Sequence, residues 1–287
     1  MILPLADGTS LDLSRPRIMG ILNVTPDSFS DGGRHTTTDL AVDHARQMVS
    51  DGADLIDVGG ESTRPGSQRV SASEQKKRIV DVVRALPSSV IVSVDTTLTE
   101  VAQAALDAGA DMINDISAGR DDKDIFTLAA ARRVPIVLMH MQGTPATMQE
   151  NPTYVDVVSE VLTFLRHRAD LAQQAGVPRE CIVLDPGIGF GKTREHNLLL
   201  LRHLHRFVDL GYAILLGTSR KRFMGSICQI QDGQFVRQPA PHELIGATCA
   251  TTALGVAAGV QLFRVHDVRE NRQAADVAWA IGHRKFT

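Results

Sequence analysis

The chain has 287 residues, of which 43% are apolar, and a formal net charge of −3. So small a charge excludes a broad attraction for nucleic acid or an anionic membrane surface, and an anionic ligand would need a local cluster of cations. Three widely spaced cysteines match no metal-binding pattern and suit a reducing compartment. The chain shows neither a signal-peptide pattern nor the ~18-residue apolar run that a membrane span needs. We therefore expect a cytoplasmic protein.

A short apolar run, a polar or glycine-rich turn and a helical stretch recur along the chain. The apolar runs cover residues 18–24, 55–59, 90–95, 112–115, 135–139, 182–185, 213–217 and 261–265. Alternating strands and helices predict a parallel sheet, because each return to the same sheet edge needs a covering crossover. Eight such units, in a length near the ~250 residues typical of this architecture, favour a closed (β/α)8 TIM barrel over an open doubly wound sheet.

The first 17 residues differ from these units. Two short apolar segments around Asp7-Gly8 predict a β-hairpin that plugs one end of the barrel. No linker or low-complexity tract divides the remainder, so we expect one domain over residues 1–287, with the hairpin at 1–17 and the barrel at 18–287.

Helix ends are marked by glycine and by capping patterns. A glycine follows four predicted helices, at Gly52, Gly109, Gly211 and Gly259, where a left-handed cap is most costly for other residues. Capping boxes predict helix starts at Ser71-x-x-Glu74, Thr97-x-x-Glu100 and Asp267-x-x-Glu270.

Cationic side chains follow the last two predicted strands, at the barrel end where enzymes of this architecture place their active sites. Strand 7 opens into Ser219, Arg220 and Lys221, and strand 8 ends in Arg264-Val265-His266. Arg264 and His266 are two residues apart and therefore share one face of their strand. Together with the strand-7 residues they predict an anion-binding cluster, in preference to an isolated surface pair.

Asp95, Asn114 and Asp185 lie at the ends of strands 3, 4 and 6. A buried carboxylate without a partner costs several kcal/mol, so these groups need partners. A flat ring rich in N–H donors, such as an aminopyrimidinone, would supply them through two-point hydrogen bonds. The alternative is that these side chains only cap helices, which we expect of Asp267. For Asp95 and Asp185 we prefer the ligand, because Thr97 is the expected cap of the third helix and Pro186-Gly187 follows Asp185.

Other catalytic motifs fail on inspection. The P-loop pattern fails at Pro186, the EF-hand pattern fails at Phe29, and no Ser/His/Asp hydrolase elbow is present. The sequence therefore predicts a site that binds an anion and a site that accepts hydrogen bonds from N–H groups of a ligand. It indicates no obvious protein nucleophile.

Long segments of the chain resemble, in order, the signatures of the dihydropteroate synthase family. The two longest are residues 19–33 (MGILNVTPDSFSDGG) and 57–66 (DVGGESTRPG). Shorter ones are residues 93–96, 114–116, 184–193, 217–221 and 264–268, so the resemblance spans residues 18–268. It implies a barrel enzyme that joins (7,8-dihydropterin-6-yl)methyl diphosphate to 4-aminobenzoate by an SN1-like reaction and releases diphosphate. It also implies Mg2+ as cofactor and a homodimer.

The resemblance also implies residue roles, with Asp95, Asp185 and Lys221 as the catalytic residues. The pterin would be held by Asp95, Asn114, Ile116, Met139, Asp185 and Lys221. The diphosphate would be held by Asn23, Thr63, Arg64, Arg264 and His266, with Asn23 binding Mg2+. The 4-aminobenzoate pocket, which sulfonamides also occupy, would be formed by Phe29, Thr63, Pro65, Phe190, Ser219 and Lys221. Loops 25–36 and 62–70 would be mobile lids. One departure is Thr97-Leu98-Thr99, where the family often has a lysine-containing segment.

Two alternatives to a synthase share part of this pattern. A pterin-dependent methyltransferase would need the carboxylates and the amide but not Lys221, Arg264, His266 or the two long loops. A non-catalytic pterin-binding paralogue would be expected to lose loop or anion-binding residues. The chain retains all of these residues, which favours the synthase.

Overall fold

A computed structural model describes residues 1–25, 34–62, 66–232 and 235–283. The strands are β1 (Ile2–Pro4), β2 (Ser10–Asp12), β3 (Arg17–Asn23), β4 (Leu55–Gly59), β5 (Ile91–Asp95), β6 (Met112–Asp115), β7 (Ile136–Met139), β8 (Ile182–Asp185), β9 (Ala213–Leu216), β10 (Ile230–Asp232), β11 (Phe235–Arg237) and β12 (Leu262–Val265). The helices are α1 (Arg34–Ser50), α2 (Ala72–Ala85), α3 (Thr99–Asp107), α4 (Asp124–Arg132), α5 (Val157–Gln174), α6 (Arg194–Arg202), α7 (Leu204–Val208), α8 (Arg222–Gly225), α9 (Ile245–Ala257) and α10 (Val268–His283). Within these ranges, no helix has the length and apolar character to cross a membrane.

Eight parallel strands close into a barrel in the order β12-β3-β4-β5-β6-β7-β8-β9. The predicted (β/α)8 barrel is therefore confirmed, and every predicted strand end lies within one residue of the observed end. Most barrel strands are buried along their whole length, as expected where helices cover the outside and side chains fill the inside.

The predicted N-terminal hairpin is also confirmed, since β1 and β2 pair antiparallel with Leu3 opposite Leu11. Its leucines join one buried cluster with residues from inside the barrel: Leu3, Leu11, Leu13, Met19, Leu55, Met112, Val137, Val183, Ala213, Leu215 and Leu262. Several of the strand residues are the first in their strand, so the hairpin closes the amino end of the barrel. The opposite end stays available for a site.

The four predicted helix-terminal glycines all have positive φ, between 74° at Gly211 and 113° at Gly109. The capping predictions have mixed outcomes. Ser71 does cap α2, with its side chain accepting from the Glu74 N–H.

The predicted cap at Thr97 is wrong. Helix α3 begins at Thr99, its N-cap residue is Leu98, and the Leu98 side chain forms no capping bond. Instead, the Thr99 N–H donates to the Asp122 carboxylate at 2.9 Å. A carboxylate from the loop before α4 thus replaces the local cap, which a pattern of neighbouring residues does not reveal.

The prediction for Asp267 also needs correction. Asp267 does precede α10, but its two carboxylate oxygens accept from the Arg220 guanidinium instead of from helix N–H groups, with Nε at 3.0 Å.

The antiparallel pair β10 and β11, between α8 and α9, was not predicted. Its sequence signal is the Asp232-Gly233 dipeptide, which is common in tight hairpins.

Candidate active site

The carboxyl ends of the strands bring the predicted polar residues to one mouth of the barrel. Asn23, Asp95 and Asp185 are the last residues of β3, β5 and β8. Asn114 lies in register with Asp95 on the neighbouring strand, and Arg264 lies in β12. The side chains of Asp95, Asn114 and Asp185 are buried, so their polar groups depend on the protein or a ligand for partners.

Arg264 is held between two carboxylates. Its Nε donates to Asp57 Oδ2 at 2.6 Å, and its Nη2 donates to Asp95 Oδ2 at 2.7 Å. Asp57 Oδ2 also accepts from Asn114 Nδ2 at 2.9 Å. Arg264, Asp95 and Asn114, which were predicted, therefore belong to one hydrogen-bonded network that runs through Asp57. No role was predicted for Asp57, because it lies in the middle of β4 and not at its end; a carboxylate inside an apolar run was the available signal.

Asp185 is oriented by the loop that follows it. Its Oδ1 accepts from the Gly187 N–H at 2.7 Å. Gly187 has φ +66°, and a Cβ at this position would lie 1.8 Å from the His140 carbonyl oxygen. Only glycine therefore fits where the loop passes the end of β7.

A buried lysine holds the same loop from behind. Lys192 Nζ donates to the carbonyl oxygens of Gly187 and Phe190, both at 2.9 Å, and lies 2.9 Å from His140 Nδ1. Burial lowers the pKa of Lys192 well below its usual value. No role was predicted for Lys192; a lysine directly after three closely spaced glycines was the available signal.

Lys221 lies over an aromatic ring at the mouth. Its Nζ is 3.9 Å from the centroid of the Phe190 ring, within the range of a cation–π contact. Phe190 belongs to a buried apolar cluster that also contains Ile116 and Met139. Three residues predicted to line the ligand pockets therefore come together and could form an apolar wall for a flat ring.

Ser219 and His266 form the remaining described part of the predicted anion cluster. Ser219 Oγ lies 3.0 Å from His266 Nδ1 and accepts from the His266 backbone N–H at 3.1 Å. Arg220, which the sequence analysis also placed in this cluster, is engaged by Asp267. This part of the prediction is corrected, because an ion pair with α10 competes for the guanidinium.

Four predicted site residues lie outside the described residues: Phe29, Thr63, Arg64 and Pro65. The two predicted lids, 25–36 and 62–70, also fall partly outside them.

Burial and neighbouring charges shift the ionisation of the site residues. Burial raises the pKa of Asp95 to about 7; Arg264 acts in the opposite direction and Asp57 in the same one. Burial also raises the pKa of Asp185 to about 6, although the Gly187 N–H and Lys221 lower it. Burial and then Arg264 lower the pKa of Lys221 to about 8. Perturbed values of this kind cluster at functional sites.

A cavity lies beside Asp95. It is lined by Glu61, Ser62, Arg69, Asp95, Thr96, Thr97, Ile116 and Pro145. The Glu61 carboxylate accepts from Gln75 Nε2 at 2.8 Å, and Gln75 Oε1 accepts from the Thr96 hydroxyl at 3.1 Å. This chain of hydrogen bonds was not predicted, because Gln75 lies inside a helix whose sequence is otherwise typical of an amphipathic one.

Asn23 is the residue that the resemblance assigns to Mg2+. Among the described residues, no group of three His, Cys, Asp or Glu side chains could hold a metal ion. Asn23 Oδ1 lies 3.7 Å from the point where a Cβ on Gly59 would be, and the neighbouring Asp95 Oδ2 already accepts from Arg264 Nη2. The single amide oxygen of Asn23 fits Mg2+ that is bound mainly by water and substrate phosphate, which is the usual mode for this ion.

The chain was compared with protein families, with characterised proteins and with solved structures. Residues 19–266 match the family of pterin binding enzymes. The dihydropteroate synthase of Synechocystis sp. is 45% identical over 269 residues, which cover 93% of this chain and 90% of that protein. The structure of Xanthomonas albilineans dihydropteroate synthase with 4-aminobenzoic acid has a TM-score of 0.88 and 42% identity, and covers 99% of this chain and 100% of that one. The Yersinia pestis dihydropteroate synthase, solved as a sulfonamide drug complex, has a TM-score of 0.89 and 41% identity, and covers 98% and 99%. The chain therefore belongs to the pterin-binding enzymes and, among them, to the dihydropteroate synthases.

Proposed function

We propose that the chain condenses (7,8-dihydropterin-6-yl)methyl diphosphate with 4-aminobenzoate to give 7,8-dihydropteroate and diphosphate, a step of folate biosynthesis. One observation carries this proposal: the Arg264 guanidinium lies 2.7 Å from the Asp95 carboxylate, in a network at the mouth that also holds Asn114. The mouth therefore places cations that could bind the departing diphosphate next to carboxylates that could bind the pterin ring. A methyltransferase would have no need of these cations and is not favoured.

The pterin ring would bind between the polar network and the apolar cluster. Asp95 and Asp185 would accept from the N–H groups of the ring, and Asn114 would offer both an acceptor and a donor. Ile116 and Met139 would pack against its faces, and the Lys221 ammonium would donate to a ring acceptor.

The diphosphate would bind on the Arg264 side of the mouth. Arg264 and His266 would bind its negatively charged oxygens. Asn23, and Thr63 and Arg64 of the second loop, would also hold the diphosphate. Mg2+, bound through Asn23, would neutralise charge on the leaving diphosphate.

In the reaction, the bond between the pterin methylene and the diphosphate oxygen would break first, with the electron pair leaving on the oxygen. The resulting methylene cation is conjugated with the electron-rich ring. Asp95 and Asp185, when ionised, would stabilise it as fixed negative charges, a form of electrostatic preorganisation that is often the largest catalytic contribution. The amine nitrogen of 4-aminobenzoate then attacks the methylene carbon, and the proton that it loses passes to the departed diphosphate or to water. This weakly basic amine is neutral at neutral pH, so no strong general base is needed.

The 4-aminobenzoate pocket would be formed by Phe29, Thr63, Pro65, Phe190, Ser219 and Lys221. The relative from Xanthomonas albilineans was solved with 4-aminobenzoic acid and that from Yersinia pestis with a sulfonamide drug, which supports sulfonamides as inhibitors here. Loops 25–36 and 62–70 would close over the substrates and exclude water that could capture the cation.

We further propose that residues 1–287 act as one domain, and that the protein is a cytoplasmic homodimer whose ligands are small molecules. The described cysteines, Cys181, Cys228 and Cys249, are free thiols, which fits a reducing compartment. Leu254 on α9 and Ile281 on α10 are more than half exposed, which is consistent with a surface that a second copy covers. Sedimentation equilibrium measures the dimer directly.

The test of function supplies both substrates with Mg2+ and follows the formation of 7,8-dihydropteroate and diphosphate. We expect equimolar products, a requirement for Mg2+ and inhibition by a sulfonamide that is competitive with 4-aminobenzoate. Release of diphosphate without dihydropteroate, or no turnover of the pterin, would contradict the proposal.

A further inference from the structure

Asp57 is a buried carboxylate that none of the proposed substrate contacts uses. It is the third residue of β4, and its side chain is fully buried beneath the mouth. One of its oxygens, Oδ2, accepts both from Arg264 Nε at 2.6 Å and from Asn114 Nδ2 at 2.9 Å. It therefore connects a proposed diphosphate-binding residue with a proposed pterin-binding residue.

The contact with Asp57 decides which way the Asn114 amide points. An ionised carboxylate can only accept hydrogen bonds, so the amide must turn its NH2 group towards Asp57. The Asn114 side chain forms no other hydrogen bond with the described part of the chain, which leaves Oδ1 as an acceptor for a ligand. A flipped amide would present two donors instead and would not match a ring edge rich in N–H groups.

The same carboxylate fixes the plane of the Arg264 guanidinium. With Nε held by Asp57 and Nη2 held by Asp95, the planar group cannot rotate without breaking a charge-assisted hydrogen bond. Its Nη1 carries no hydrogen bond to the described residues and keeps its donors for an anion.

We propose that Asp57 is a positioning residue of the active site, whose carboxylate holds the Asn114 amide and the Arg264 guanidinium in the orientations that recognise the pterin and its diphosphate. This inference rests on the proposed function and deepens it. Asp57 touches no substrate and acts through its two partners.

The first experiment compares Asp57→Asn with Ser93→Ala by calorimetry with 6-hydroxymethylpterin, which lacks the diphosphate. Ser93 is the matched control, because it lies opposite Asp57 in register, is fully buried and has a hydroxyl without a partner in the described structure. We expect Asp57→Asn to bind the pterin about tenfold more weakly, as for the loss of one charge-assisted hydrogen bond, and Ser93→Ala to bind it normally. Unchanged pterin affinity in folded Asp57→Asn would overturn the proposal.

A double-mutant cycle tests whether Asp57 acts through Asn114. In an Asn114→Ala background, Asp57→Asn is expected to cost much less pterin affinity than it does alone. An equal cost in both backgrounds would overturn the proposal that Asp57 positions the Asn114 amide.

A further readout uses the unaltered chain in case Asp57→Asn does not fold. The side-chain amide resonance of Asn114 should show one proton that exchanges slowly with solvent, because it is bonded to a buried carboxylate. Fast exchange of both protons would overturn the proposal.

Steady-state kinetics separates this inference from the proposed function. We expect Asp57→Asn to lower kcat/KM for the pterin diphosphate about tenfold and to leave the KM for 4-aminobenzoate unchanged. If the unaltered chain forms no dihydropteroate, the proposed function fails. If it does and the variant has the same kcat/KM, only the role of Asp57 fails.

Discussion

Asp95, Asp185 and Lys221 are buried charged groups whose protonation changes near neutral pH. Burial raises the pKa of the two carboxyl groups to about 7 and about 6 and, with Arg264, lowers that of Lys221 to about 8. The site keeps the carboxyl groups of Asp57, Asp95 and Asp185 close to the cations of Arg264 and Lys221. Removing these groups from water costs free energy that an apolar core would not cost. Such a desolvation cost is expected in an active site, where charged groups are held in fixed positions for the reaction.

These shifts predict the pH dependence of the reaction. Because the carboxyl groups have raised pKa values, they lose their charge as the pH falls through about 7 and 6, and kcat/KM should fall with it. Because the pKa of Lys221 is lowered, its charge and its contribution are lost as the pH rises through about 8. A profile of kcat/KM from about pH 5 to about pH 9 should therefore be bell-shaped, with apparent pKa values that belong to the coupled groups.

Binding of 6-hydroxymethylpterin is the control for this profile, because this ligand has no phosphate that titrates in the same range. Its affinity should fall on the acid side as well. A pterin affinity and a kcat/KM that stay constant down to about pH 5 would contradict the assigned ionisation.

Single residues could be predicted from the sequence where they end a strand. Asp95 and Asp185 do so, and Asn114 is the next-to-last residue of β6. The structure brings Asp95 and Asn114 into one network with Arg264. Asp57 and Lys192 were missed, since their importance lies in what they contact across the barrel. Arg220 was misassigned because its partner, Asp267, is 47 positions away in the chain.

At the level of elements, the loop between β8 and α6 connects the core to the site. Asp185 binds the Gly187 N–H, Lys192 binds the carbonyl oxygens of Gly187 and Phe190, and Phe190 lies under Lys221. The loop therefore orients both the proposed catalytic carboxylate of Asp185 and the Phe190 ring. It can pass close to the end of β7 because Gly187 has no side chain.

We predict that Gly187→Ala destabilises the protein far more than Gly109→Ala. Both glycines have positive φ, which alone costs alanine roughly 1–2 kcal/mol. At Gly109 an added Cβ meets nothing within 4 Å, whereas at Gly187 it would lie 1.8 Å from the His140 carbonyl oxygen. Urea unfolding should give a loss of more than about 4 kcal/mol for Gly187→Ala. Similar losses for the two variants would contradict the close approach.

Element boundaries were predicted well where the pattern is local. Apolar runs, and the glycines that end the preceding helices, place the barrel strands to within one residue. They do so because the hydrophobic pattern and the left-handed turns are properties of the segment itself. The start of α3 was misread because Asp122, from another loop, supplies its cap. The pair β10 and β11 has strands of three residues each, too short for a periodic signal.

In the whole molecule, the residues that close the barrel and the residues of the proposed active site lie at opposite ends of the barrel. The amino end is closed by the hairpin, whose Leu3 is fully buried among residues of the barrel interior. The carboxyl end carries the charged network. Changes at one end should therefore leave the other largely unaffected.

Leu3→Ala tests this separation. We expect a loss of about 3–5 kcal/mol in the free energy of unfolding, as for other buried leucines, with kcat/KM within about twofold of the unaltered chain at 25 °C. The neighbouring Ile2, which is 58% exposed, provides the control, and Ile2→Ala should change stability by no more than about 0.5 kcal/mol. A large loss of kcat/KM in folded Leu3→Ala would show that the two ends are coupled.

In the proposed reaction, ionised carboxylates stabilise the pterin cation while neighbouring cations hold the departing diphosphate. Asp185→Asn removes one of these charges with little other change, because the Asn oxygen can still accept from the Gly187 N–H, a bond that spans 2.7 Å in the unaltered chain. The measurement is kcat of this variant with saturating substrates, together with its circular dichroism and thermal melting. We expect a folded protein whose kcat is lower by roughly 10²–10³. Near-normal formation of dihydropteroate by the variant would contradict the proposed reaction.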